Sequence, residues 1–177
     1  NPYKGCEHGC VYCYARPTHA FLGLSPGLDF ETQIFYKTEP AARLSEAFER
    51  RGYKVRPIAM GTNTDPYQPG ERQLGITREI LKTLLRYRHP VSLVTKSTLI
   101  LRDLDILAEL ATLGLVQVSV SVTTLNNGLK TALEPRTAGP RARLRVLDSL
   151  HQARVPVGAM IAPVIPCIND NELEDIV

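Results

Sequence analysis

The stretch Val116-Gln117-Val118-Ser119-Val120-Ser121-Val122 alternates β-branched and polar residues without a break. A period of two is the mark of a β-strand with unlike faces, here valines on one side and Gln117, Ser119 and Ser121 on the other. Within a longer run, Leu115–Val122, it has counterparts at Gln33–Lys37, Pro57–Met60, Val91–Thr95 and Val155–Ala162. Between these runs apolar residues recur with helical spacing. One set is Leu44, Ala47 and Phe48; a second is Thr77, Ile80, Leu81, Leu84 and Leu85. A third is Leu104, Leu107, Ala108 and Ala111, and a fourth is Leu144, Leu147 and Leu150, with Arg141, Arg143 and Arg145 elsewhere around the axis. Gly52, Gly114 and Tyr87–Pro90 sit where helices should stop. Strand–helix alternation predicts an α/β fold with a parallel sheet and right-handed crossovers, open or curled. A strand sandwiched between helix layers should be apolar on both faces. The polar face of Val116–Val122 therefore predicts a partial, TIM-like barrel whose lumen holds a polar ligand; an edge strand facing water is the alternative.

The composition fits one domain with a sizeable core: 177 residues, 44% hydrophobic and 22% charged. Disorder is excluded by the apolar content. No run approaches ~18 apolar residues, and no basic-then-apolar leader opens the chain, so no membrane association and a cytoplasmic location are expected. A net charge of +3, from 21 basic and 18 acidic residues, is too mild to argue for nucleic acid. The chain starts at Asn1 without an initiator Met and stops at Leu173-Glu174-Asp175-Ile176-Val177, the first turn of a helix. Residues 1–177 thus read as a core domain truncated at both ends. Thr18–Asp29, with Gly23, Pro26 and Gly27, reads as a surface loop.

Of four cysteines, three lie in Gly5-Cys6-Glu7-His8-Gly9-Cys10-Val11-Tyr12-Cys13. The spacing Cys-x3-Cys-x2-Cys lets thiolates converge on one side of a tight loop, with Gly5 and Gly9 allowing the backbone to wrap closely. Disulfides suit neither a reducing compartment nor an odd count within the loop. Zinc needs a fourth ligand, for which His8 or His19 is available, although structural zinc sites usually recruit two separated pairs. A [4Fe–4S] cluster held by Cys6, Cys10 and Cys13 leaves one iron without a protein thiolate, whereas such clusters normally take four. Cys167, over 150 residues away, reads as a buried or incidental thiol and not a ligand. A zinc-stabilised binding module, or a cluster used only for redox sensing, remains open on these residues alone.

The cysteine motif with Tyr12 before its last member resembles the signature of the radical SAM superfamily. The words Asn1–Arg16 and Gly61-Thr62-Asn63-Thr64-Asp65-Pro66-Tyr67-Gln68-Pro69-Gly70-Glu71 are similar to its spore photoproduct lyase-like branch, often labelled "DNA repair photolyase". The resemblance spans nearly the whole chain. It implies a partial (β/α)6 barrel, a [4Fe–4S] cluster, and S-adenosylmethionine as cofactor or cosubstrate. The bound cofactor would be cleaved reductively to a 5′-deoxyadenosyl radical that abstracts hydrogen from a substrate. An external one-electron donor, a flavodoxin or ferredoxin, is implied as partner; the substrate is unidentified, with nucleic acid suggested by the branch. Arg136, Arg141, Arg143 and Arg145 add slight support for nucleic acid but read better as a solvated helix face.

Further site residues follow from the same resemblance. Thr62, Asn63, Thr64 and Asp65, at the carboxyl end of the second parallel strand, correspond to the motif for the methionine amino group; Asp65 can accept from an ammonium. The bland reading of Asp65-Pro66 and Pro69-Gly70 is turn chemistry. Lys96, ending the third strand, suits a ligand carboxylate as a point charge or is a solvated loop lysine. Ser121 resembles the position that hydrogen-bonds the ribose, and Tyr12 packs near the adenine in the family pattern. Glu134–Thr137 is expected to close over the cofactor, and the small residues of Val157–Pro166 suit a flat adenine. One departure stands out: spore photoproduct lyases carry a further Cys in the loop after the second strand, and Gly61–Asp65 has none, so spore photoproduct repair is not expected.

Overall fold

The computed structural model describes residues 1–177. A short antiparallel ribbon of β1 (Tyr3–Lys4) and β2 (Phe35–Tyr36) precedes a parallel sheet. That sheet runs in the order β3 (Ile58–Met60), β4 (Val91–Thr95), β5 (Val116–Ser121) and β6 (Val157–Met160). Along the chain the helices are α1 (Asp29–Thr32), α2 (Pro40–Phe48), α3 (Glu71–Leu74), α4 (Ile76–Arg86), α5 (Leu104–Thr112), α6 (Asn127–Leu133), α7 (Pro140–Gln152) and α8 (Leu173–Ile176). This is a partial TIM-like barrel represented by four parallel strands. No helix is long and apolar enough to cross a membrane.

The register explains the alternation in β5. Leu93 lies opposite Val118, and Val118 opposite Val157. Opposed residues of a parallel sheet share a face, so Met60, Leu93, Val118 and Val120 are buried together beneath the helices. Ile80, Leu81 and Leu84 of α4, Leu107 and Leu110 of α5, and Val146 and Leu150 of α7 complete this core. Each contributes roughly 1.5–3 kcal/mol through apolar burial. The other face carries Ala59, Ser92 and Gln117 in one row and Val94, Ser119 and Gly158 in the next. Gln117 is exposed while Ser121, at the carboxyl end, is buried.

Three expectations are corrected. Gln33–Lys37 is not a strand of the parallel sheet: only Phe35 and Tyr36 pair, antiparallel to β1. Thr18–Asp29 is not wholly an open loop, because Arg16–Leu22 forms a 3-10 helix that buries His19 edge-on against Phe30. The arginines of α7 are not one solvated face. Arg141 and Arg145 are exposed, but Arg143 is 1% exposed and faces the sheet beside Val146 and Leu150. A buried guanidinium requires a buried partner, and Glu134 supplies it.

Candidate active site

The cysteine loop is held by elements distant in sequence. The Cys6 amide donates to Phe30 O at 2.9 Å and the Val11 amide to Leu133 O at 3.0 Å. Gln68, fully buried, accepts from the Glu7 amide at 3.0 Å and donates to Gly5 O at 3.3 Å. Arg16 donates to Cys10 O through both Nε (3.2 Å) and Nη2 (3.0 Å), and ion-pairs with Glu31. Arg136, paired with the same Glu31, donates to Glu7 O. Its guanidinium occupies the space a side chain at residue 9 would need, so Gly9 allows that approach.

Gly61-Thr62-Asn63-Thr64-Asp65 leaves the carboxyl end of β3, where enzymes of this architecture place their sites. Gly61 has φ +93°, and a Cβ there would fall inside the Val94 carbonyl of β4. The close approach of the two strand ends is therefore a glycine contact. Thr64 is buried, and its hydroxyl donates to Tyr3 O at 3.0 Å. Asp65 accepts the Thr95 hydroxyl at 2.7 Å and the Tyr67 amide at 2.8 Å on Oδ1, and the Lys96 amide at 2.7 Å on Oδ2. His8 Nδ1 stands 3.4 Å from Oδ2. Asp65 thus ties its own loop to the end of β4 and stands against His8 of the cysteine loop. Thr62 and Asn63 are exposed, and Thr62 O accepts the Tyr14 hydroxyl.

These segments line a cleft that opens to solvent. Cys6, Cys10, Cys13, Tyr12, Thr62, Asn63, Thr64, Asp65 and Lys96 all line it. Ser121 does not: its hydroxyl is buried without a hydrogen-bond partner, behind the wall. Lys96 reaches in over the Tyr12 ring, 5.8 Å from its centroid, and lies 4.0 Å from Glu134 Oε1. The Tyr12 hydroxyl also donates to Glu134. Burial pushes the Cys6 thiol up to about 12 and the Cys10 thiol up to about 11. Both are protonated in the metal-free chain, and a cationic centre must displace those protons to bind thiolates.

The sequence named Glu134 only as part of a closing segment and Arg143 only as part of a solvated face; it did not show that the two pair behind this wall. Glu134 is fully buried; it accepts Thr123 Oγ1 at 2.8 Å and pairs with Arg143 through Oε2. Burial alone would raise its pKa, but Arg143, Lys96 and Tyr12 outweigh that and hold it below the ordinary carboxylate value. Glu134, expected with Pro135–Thr137 to close over the cofactor, is buried behind the cleft lining and tied to Arg143. Burial likewise lowers His8 against the opposing pull of Asp65. No three His, Cys, Asp or Glu side chains stand close enough to share a single ion in the metal-free chain. A cubane binds each cysteine to a different iron, so the three thiols on one cleft wall fit that donor set.

The model of the radical SAM superfamily matches residues 1–177. The chain belongs to the radical SAM superfamily. Enzymes of this superfamily use a [4Fe–4S] cluster with S-adenosylmethionine, which accords with the cysteine-lined cleft. An uncharacterized protein of Mycobacterium tuberculosis is 40% identical over 171 residues, covering 97% of this chain and 50% of that protein. One from Methanocaldococcus jannaschii is 28% identical over 97% of this chain and 62% of its own length. The radical SAM segment described here thus spans about half the length of the first of these relatives. Among solved structures, spore photoproduct lyase complexed with dinucleoside spore photoproduct superposes with a TM-score of 0.64, at 18% identity over 93% of this chain and 45% of that one. A variant of that lyase with bound AdoMet and dinucleoside spore photoproduct gives 0.63, at 18% identity over 92% of this chain and 44% of that one. At such identity the likeness is one of fold.

Proposed function

We propose that the cleft is the cofactor site of a radical SAM enzyme, with Cys6, Cys10 and Cys13 as the cluster ligands. The observation carrying this reading is that three cysteines, the Thr62–Asp65 loop and Lys96, from three parts of the chain, line one cavity. When bound, the cluster and S-adenosylmethionine supply a reductively generated 5′-deoxyadenosyl radical for hydrogen abstraction. The chain's own residues bind and orient. Lys96 presents a positive charge to the ligand's carboxylate. The negative charge of Asp65 and the exposed polar groups of Thr62 and Asn63 face its ammonium. Tyr12 supplies an aromatic wall, with the unpartnered Ser121 hydroxyl buried behind it.

An external one-electron donor of the flavodoxin or ferredoxin class, a cytoplasmic location, and residues 1–177 as the catalytic core belong to the same proposal. The substrate class suggested is nucleic acid, because the solved neighbour binds a dinucleoside lesion. The full-length protein, given dithionite and S-adenosylmethionine under anaerobic conditions, should form 5′-deoxyadenosine. Cys13→Ala should abolish both iron retention and that product. Stoichiometric zinc in a colourless protein, or product formation retained in the Cys13 variant, would overturn the reading.

A further inference from the structure

Lys96 does not stand alone at the cleft wall; its nearest counter-charge is Glu134, 4.0 Å away. Left to itself, a fully buried carboxylate would capture that ammonium, because Coulomb attraction strengthens as water is removed. A lysine so captured has little charge left for a ligand. Glu134 has another partner, however. Arg143, itself 1% exposed, pairs with its other oxygen. The guanidinium is anchored by donating to Ala138 O at 2.8 Å through Nε and to Ser121 O at 2.9 Å through Nη1. Neither Arg143 nor Glu134 lines the cleft.

We propose that Arg143 is a positioning residue of the cofactor site: by neutralising Glu134 from behind, it leaves the charge of Lys96 free for the carboxylate of an incoming ligand. The inference rests on the reading of the cleft given above and adds to it a layer of charge control from α7. Glu134 is shared by two cations, Lys96 and Arg143, and of the three only Lys96 lines the cavity. With the inner pair balanced, the outer cation acts as though unpaired. The Glu134 oxygen nearest Lys96 is further occupied by the hydroxyls of Tyr12 and Thr123. Those neutral donors weaken its hold on Lys96 without adding charge.

The test compares two probes on the full-length, cluster-loaded protein. S-adenosylhomocysteine carries the amino-acid carboxylate, and 5′-methylthioadenosine lacks the amino-acid part. Dissociation constants are measured by calorimetry for the wild type, Arg143→Gln, Glu134→Gln and the double variant. Arg143→Gln should weaken S-adenosylhomocysteine at least tenfold, because Glu134 then claims Lys96, while 5′-methylthioadenosine changes by less than about threefold. Removing the carboxylate as well should restore S-adenosylhomocysteine to within about threefold of the wild type. Glu134→Gln alone should bind it no more weakly than the wild type does. If Arg143→Gln does not fold, Glu134→Gln and the double variant decide: undiminished S-adenosylhomocysteine binding supports the proposal, and a tenfold loss overturns it. Equal weakening of both probes, or no rescue in the double variant, also overturns it, since a merely structural role predicts those results. A wild type that binds neither probe refutes the reading of the cleft itself, and this inference with it.

Discussion

At the scale of single residues, two positions in the loop after β3 set the geometry of the cleft. Gly61 has φ +93° and lies against the Val94 carbonyl, so any side chain there meets both a strained backbone and a peptide group. Gly61→Ala should cost roughly 2–4 kcal/mol, read as a lower urea midpoint in the metal-free chain. An unchanged midpoint would mean that the strands do not approach so closely. Asp65 makes a different prediction. It receives three donors, from Thr95, Tyr67 and Lys96, and an amide in its place can offer only one oxygen. Asp65→Asn should destabilise the chain by about 1–3 kcal/mol, the cost of buried donors left unmatched. If its stability is unchanged while ligand binding falls, Asp65 serves the ligand directly and its tie to β4 is secondary. The resemblance located Asp65 but not this duty, because its partners arrive from β4 and depend on the sheet register.

The element that matters most is the cysteine loop, which has no regular structure of its own and is shaped by neighbours. Gln68 clamps it from the loop before α3, satisfying one donor and one acceptor. Gln68→Ala should leave both unmatched and loosen the ligand set. The expected result is lower iron per chain after anaerobic reconstitution, and full iron retention would show that the other anchors suffice. The buried pair behind the cleft, Glu134 just after α6 and Arg143 of α7, yields a pH prediction. Glu134 is held below its usual value of 4.5, so its pairing stabilises the fold above that pH and is lost as the pH falls through the depressed value. Below about 4.5 the wild type should therefore lose stability more steeply than Glu134→Gln, as read from urea midpoints at pH 6 and pH 3.5. Parallel slopes would mean that the pair contributes nothing. The strands and α4 were legible in the sequence because their apolar periodicity is local. Arg143 was not: helical spacing marks which residues share a face, but a buried cation is recognised only once its counter-charge is known to arrive there. Gln33–Lys37 misled for the same reason, since β-propensity does not say which sheet a strand joins.

For the whole molecule, β6 leaves an edge of the sheet uncovered. The strand order places β6 last, and Val157 through Met160 are at least partly exposed. The amides of Val118 and Val122 donate to Pro156 O and Met160 O, so the even-numbered residues of this segment face β5. The backbone groups of Val157 and Ala159 consequently point away from the sheet. A row of unpaired donors and acceptors on a weakly charged strand is a template for pairing with another chain. The 177-residue segment on its own should therefore self-associate through this edge as its concentration rises, measured by light scattering. Ala159→Pro removes an outward amide while leaving the inward ladder intact, because a proline is tolerated where its missing N–H faces solvent. That substitution should lower the self-association severalfold and leave the urea midpoint within about 1 kcal/mol of the parent in stability. If association is unaffected, it proceeds through another surface, such as the exposed side chains of Phe21 and Leu28 near the cysteine loop. The same edge explains why the polar face of β5, which pointed to a barrel from the sequence, is only partly enclosed here: four parallel strands curl toward a lumen without closing it.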